Sequence, residues 1–166
     1  MAGNRLSIDD VSNLALEAPD TLMHQAAVAV LDADLLLDPE GHVRIDLVRR
    51  FLESKLSGAP ELRRVLRPTR QFQGRPLWVD DPGFRIENHV HAGSLPDPGG
   101  EAALLKFVEH TTAEQMDRAL PLWQLWLLDG YAPGRVALVI KVHHALVDGP
   151  GMLNLVGQLF DQEPRR

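Results

Sequence analysis

The spacing of apolar residues predicts one mixed α/β domain over residues 1–166, a mixed sheet flanked by helices. Three observations carry that expectation. Residues 136–142 form the strongest strand signal in the chain, and the extended run 123–128, joined to it through a turn at 132–134, makes a hairpin. Ile45, Val48, Phe51, Leu52 and Leu56 recur at steps of three and four with Arg49, Arg50, Glu53 and Lys55 between them, which is the period of an amphipathic helix. Leu104, Leu105, Phe107 and Val108 give residues 101–114 a second long helix.

The remaining elements follow in order. Ser7 or Asp9 can cap a short helix that runs to Glu17, and the valine- and alanine-rich residues 26–31 suit a strand. Pro39, Glu40 and Gly41 make a turn before the first long helix, and Gly58 and Pro60 stop that helix. A further helical turn is expected over 61–66. The prolines and glycines that follow favour loops and short edge strands, and the alternation in 86–91 suggests another strand. A turn spans 94–100, and Pro121 closes the second helical region. Gly149 and Pro150 open a last helix carrying Met152, Leu153, Leu155, Val156, Leu159 and Phe160.

Composition excludes several classes of function. The 166 residues are 45% hydrophobic and 24% charged, the balance of an ordinary globular domain. A net charge of −6, from 17 basic and 23 acidic residues, argues against a dedicated nucleic-acid binder. With no cysteine there is no disulfide framework, thiolate metal site or cysteine nucleophile, in keeping with a cytoplasmic, reducing location. The amino terminus is broken by Asp9, Asp10, Glu17 and Asp20 and is not a secretory signal. The longest apolar windows fall far short of the ~20 residues that cross a bilayer, so any membrane contact is expected to be peripheral.

The chemistry concentrates in His143-His144-Ala145-Leu146-Val147-Asp148-Gly149, directly after the best strand. If the strand persists to its end, Val136, Leu138, Ile140, Val142 and His144 share one face, and Ala137, Val139, Lys141 and His143 share the other. The two histidines therefore have different tasks. One can enter a cleft as a base while its neighbour packs on the opposite side, and position alone leaves open which is which. Imidazole suits the role because an unperturbed pKa of ~6.5 leaves roughly three quarters of it neutral near pH 7. Asp148 can brace the turn or cap the last helix, and Gly149 permits a backbone path closed to other residues.

The whole run resembles the H-H-x-x-x-D-G motif of acyltransferases with the chloramphenicol acetyltransferase-like fold. Pro121-Leu122-Trp123 and its distance to the histidines resemble the P-L-W segment of the bacterial wax ester synthase/acyl-CoA:diacylglycerol acyltransferase family. Residues 75–84, His89-Val90 and Met116-Asp117-Arg118 are similar to other amino-terminal segments of that family, so the likeness covers nearly the whole chain. The resemblance implies half of a chloramphenicol acetyltransferase-like fold, the amino-terminal one, with the family's second half and its Asn-Asp motif absent from these residues.

It further implies His144 as general base, with His143, Asp148 and Gly149 supporting its geometry. The reaction implied is transfer of a fatty acyl group from acyl-CoA, a substrate rather than a cofactor, to diacylglycerol or a long-chain alcohol. No metal or other cofactor is implied. A carboxyl-terminal half or second chain is an expected partner, and a membrane or lipid-inclusion surface an expected place of work. Two residues depart from the family pattern: Leu120, where arginine is common, and Pro150-Gly151 after the motif.

Physical reasoning gives Pro121-Leu122-Trp123 a structural part, a turn followed by a packed aromatic, and Trp78 the same. Arg63, Arg64, Arg67 and Arg70 fit a solvated face better than a CoA-phosphate site. Three functions stand at this point: a lipid acyltransferase, an incomplete half-domain acting in binding or partner assembly, and a metal module built on His143, His144 and Asp148 with His89 or His91.

Overall fold

The computed structural model describes residues 4–70 and 74–147, together with Gly151 and Gly157, which are helical. Asp148, Gly149, Pro150 and the apolar positions expected in the last helix lie outside the described residues.

The chain starts with a short strand β1 (Asn4–Arg5) and helix α1 (Ile8–Leu16). Ser7 caps α1. Its hydroxyl accepts the Asp10 N–H at 3.0 Å while the Asp10 carboxylate accepts the Ser7 N–H at 2.9 Å, a reciprocal box that satisfies two otherwise orphaned donors. Paired backbone bonds between Ala18 and Thr21 then turn the chain into strand β2 (His24–Asp32). Helix α2 (Ile45–Lys55) buries Val48 and Leu52 on the stripe its periodicity marks. Helix α3 (Gly100–Ala113), strand β6 (Trp123–Ala132) and strand β7 (Arg135–His143) follow where expected. The β6–β7 turn uses Gly134 at a φ of 70°, a left-handed conformation that glycine adopts without steric cost.

Two segments differ from expectation. The helical turn expected over 61–66 is a 3-10 turn at Pro60–Arg63 that gives way to strand β3 (Arg64–Arg67). Val65 and Leu66 pair there with Val79 and Trp78 of strand β4 (Leu77–Asp80), so tertiary pairing overrides a weak helical signal. The strand expected over 86–91 is a 3-10 turn at Ile86–Asn88 followed by strand β5 (Val90–Ser94). Ile86 and Val90 both enter the main core, and their separation of four is satisfied by a helical turn as well as by alternation.

The principal sheet has the order β2-β7-β6-β5, with β7 antiparallel to both neighbours and β5 parallel to β6. A smaller antiparallel sheet has the order β1-β4-β3. β7 is central and buried on both sides. Val136, Leu138, Ile140 and Val142 meet the core that includes α2, while Ala137 and Val139 meet the cluster under α3. The two faces proposed from alternation are therefore the two sides of the sheet, each with its own apolar layer.

Candidate active site

The site grows from the register of β2 on β7, which places His24 opposite His143 and Gln25 opposite Val142. Successive side chains point to opposite faces, so the sheet parts the polar residues into two groups. His24 and His143 lie on the α3 side with Lys141. Gln25 lies on the other side and reaches His144.

On the α3 side, the His143 ring is fully buried. Its Nδ1 accepts the backbone N–H of Ala145 at 2.9 Å, so the neutral ring carries its proton on Nε2. That Nε2 lies 3.3 Å from Glu17 Oε1, and His24 Nε2 lies 3.1 Å from the same oxygen. The second oxygen, Oε2, accepts from Arg118 at 2.8 Å and from Gln115 at 3.2 Å. Burial alone would raise the Glu17 pKa, but these bonds, with His143 and the Met23 backbone, outweigh it and bring it from 4.5 to about 2. Burial lowers His24 from 6.5 to about 4, with the Lys141 charge acting the same way and Glu17 opposing. Burial also lowers His143, against the attraction of Glu17. Both rings are neutral at physiological pH beside an ionised carboxylate.

Lys141 is 1% exposed and donates from Nζ to the carbonyls of Thr111 at 2.8 Å and Glu114 at 2.5 Å. It thereby places a cation at the carboxyl-terminal end of α3, where the helix presents unpaired carbonyls.

Glu17, His24 and His143 bring one potential ligand atom each within 4.8 Å of the others. They nevertheless fit a metal ion poorly. The bond from Ala145 leaves a proton on His143 Nε2, the atom that would have to coordinate, and Lys141 and Arg118 already supply positive charge beside the group. The other histidines considered for a metal are dispersed: His89 is stacked between Phe84 and Trp123, with centroids 5.2 and 4.8 Å away, and His91 lies against Trp126.

On the opposite side, His144 is half-buried in the turn that ends β7. Its backbone N–H donates to Met23 at 2.8 Å, and its Nδ1 lies 2.8 Å from the amide nitrogen of Gln25, which also donates to the Val147 carbonyl at 3.1 Å. The turn is therefore tied to β2 by backbone and by side chain. Ala145 and Leu146 pack with Leu6, Trp78, Met116 and Leu122, which fixes its far edge.

Pro121, Leu122 and Trp123 lead into β6 beside this turn. The Leu122 carbonyl accepts the His143 N–H at 3.1 Å, and Leu122 packs with Ala145. The Trp123 indole is 1% exposed, donates to the Leu62 carbonyl at 2.8 Å and stacks on His89. The segment anchors the end of β7, and Trp78 is likewise buried in β4. Of the four arginines considered for phosphate, Arg63 sits 5.0 Å over the Phe84 ring and Arg64 lies 3.6 Å from Asp80, while Arg67 and Arg70 are exposed. Arg67 and Arg118 line a mainly apolar groove of about 480 Å³ with Leu14, Leu66, Pro68, Pro76 and Ala119.

Sequence reasoning singled out His143, His144, Pro121, Leu122 and Trp123, and the fold gathers all five around one turn. It missed Glu17, His24, Gln25, Arg118 and the part played by Lys141. A lysine inside an otherwise apolar strand, and a His-Gln pair opening an alternating strand, were the available signals.

A mixed sheet whose central strand ends in a His-His turn defines the class first. The starter condensation domain of rhizomide synthetase shares this fold with a TM-score of 0.71 at 16% identity, over 96% of this chain and 38% of that one. The chain belongs to the wax ester synthase/diacylglycerol acyltransferase family, whose catalytic domain matches residues 6–166. The wax ester synthase/diacylglycerol acyltransferase from Marinobacter aquaeolei VT8 superposes with a TM-score of 0.76 at 29% identity, over 98% of this chain and 40% of that one. A Mycobacterium tuberculosis (strain H37Rv) protein named as a diacylglycerol O-acyltransferase is 35% identical over 160 residues, 96% of this chain. The chain spans about a third of the length of that relative, 33%.

Proposed function

We propose that this chain carries the general base of an acyl-CoA-dependent O-acyltransferase that makes triacylglycerol or wax ester. His144 takes the proton from the hydroxyl of a diacylglycerol or long-chain alcohol. The oxygen attacks the thioester carbonyl, the C–O bond forms, the C–S bond breaks, and the proton passes from the imidazole to the departing sulfur of CoA. No acyl-enzyme, metal or cofactor takes part. His143, Asp148 and Gly149 act as supports of the turn. General-base assistance of this kind is worth about 10²–10⁴ in rate.

The observation that carries the proposal is the division of labour between adjacent histidines: His143 is fully buried and His144 is half-buried with its ring held from β2. Family membership supplies the reaction class. Among the described residues no helix is long and apolar enough to cross a membrane. We place the reaction in the cytoplasm at the surface of a membrane or lipid inclusion, where a water-soluble thioester meets a water-insoluble acceptor. A second half, in the same protein or another chain, completes the acceptor side.

Labelled acyl-CoA offered with diacylglycerol or fatty alcohol tests this directly. Ester formation that falls about 10²–10⁴-fold in His144→Ala is the expected result. Equal turnover by parent and variant overturns the assignment of the base. Acyl-CoA binding without ester from either acceptor, in the parent and with a carboxyl-terminal half supplied, favours the half-domain acting in binding.

A further inference from the structure

We propose that Gln25 is the positioning residue that sets which ring nitrogen of His144 carries the proton, through the orientation of its side-chain amide between that ring and the Val147 carbonyl. The inference rests on the reading of His144 as the base.

A primary amide nitrogen has two hydrogens to give and no lone pair available to accept. The Gln25 nitrogen lies 3.1 Å from the Val147 carbonyl oxygen, which can only accept, and 2.8 Å from His144 Nδ1. One hydrogen goes to each. Nδ1 is consequently the acceptor nitrogen, and the neutral ring holds its proton on Nε2. In that tautomer Nε2 has nothing with which to take a proton from an alcohol, and Nδ1 is occupied.

A half-turn of the amide about its last bond exchanges the NH2 group for the carbonyl oxygen. Water then takes the proton from Nε2 and returns one to Nδ1, which now has an acceptor; the lone pair is left on Nε2, and the ring becomes a base at its free nitrogen. The hydrogen bond to Val147 is given up in the exchange. Two amide orientations therefore correspond to two tautomers, one resting and one competent. The geometry that makes this possible is local: β2 places Gln25 on the His144 side of the sheet, the backbone bond from His144 to Met23 holds the turn beside it, and Val147 lies three residues beyond the ring. Gln25 is the side chain that bonds the His144 ring among the described residues.

The test is nitrogen NMR of the chain labelled in its histidines, with the His144 signals assigned by their loss in His144→Ala. In the parent the expected protonated nitrogen is Nε2. Gln25→Glu substitutes a group that only accepts, so the proton is expected on Nδ1. Gln25→Leu releases the ring to a mixture of tautomers. A proton that stays wholly on Nε2 in both variants would overturn the proposal. If the glutamate variant does not fold, the leucine variant decides alone: one pure Nε2–H form in both it and the parent defeats the idea. A merely structural Gln25 would move stability but not the tautomer. Because the spectra need no substrate, their outcome is separate from whether the chain transfers acyl groups.

Discussion

The Nδ1 atom of His143 accepts the backbone N–H of Ala145 at 2.9 Å, so the first histidine of the pair closes the turn that displays the second. Its other nitrogen faces the Glu17 carboxylate, which fixes the ring from behind. His143→Ala opens a cavity, strips the Ala145 donor and leaves a buried carboxylate short of a partner. A loss of about 2–4 kcal/mol in urea unfolding is expected. His144→Ala, at a half-buried ring, is expected to change stability by less than about 1 kcal/mol while removing ester formation. Equal destabilisation by the two variants would contradict the division between support and base.

Glu17 links that support to pH. Its folded pKa, about 2, lies below its ordinary value of 4.5. A depressed carboxylate contributes stability that is present above 4.5 and lost as pH falls toward 2. With its side chain 1% exposed, the full effect amounts to roughly 3 kcal/mol. Glu17→Gln should lower stability at pH 7 and flatten the acid limb between pH 4.5 and 2, read from unfolding curves across that range. A variant whose acid limb keeps the parental slope would show that Glu17 is not the titrating group.

The Trp123 indole offers a simpler test of the segment ahead of β6. Trp123→Phe keeps an aromatic face against His89 but loses the N–H donated to the Leu62 carbonyl. A cost of about 1–3 kcal/mol is expected, visible as a lowered Tm. Because the indole has no proton to exchange in the proposed reaction, the pH profile of ester formation should keep its shape.

What could be read in advance was what the chain encodes locally. Alternation along β7 put His143 and His144 on opposite faces, and three- and four-residue spacing found α2 and α3. The partners of those histidines were invisible because Gln25 is 119 residues from His144, and Arg118 is 101 from Glu17. The register of β2 on β7 brings Gln25 to His144, and the packing of the segment between α3 and β6 against the residues ahead of β2 brings Arg118 to Glu17; periodicity fixes the face of a residue without fixing its neighbour in space. The errors at residues 61–66 and 86–91 have a related cause: short apolar segments satisfy helical and extended spacing alike until a paired strand chooses.

His24 and Lys141 give the neutral-to-acid side of the pH response. Burial, reinforced by the Lys141 charge, lowers His24 from 6.5 to about 4. Between those values the unfolded chain binds the proton and the folded chain does not, so stability is complete above pH 6.5 and declines as pH falls toward 4. For a side chain 2% exposed, the decline amounts to roughly 3 kcal/mol. His24→Gln should flatten this window in part, since His143 and His89 are shifted in the same direction and continue to contribute. Lys141→Met removes a repelling cation, so the His24 titration should move upward by proton NMR and the pH window should narrow. At neutral pH the same variant deprives the Thr111 and Glu114 carbonyls of their donor and should cost about 1–3 kcal/mol. A His24 titration unmoved by Lys141→Met would mean that burial alone keeps the ring neutral and that Lys141 serves the end of α3 and nothing beyond it.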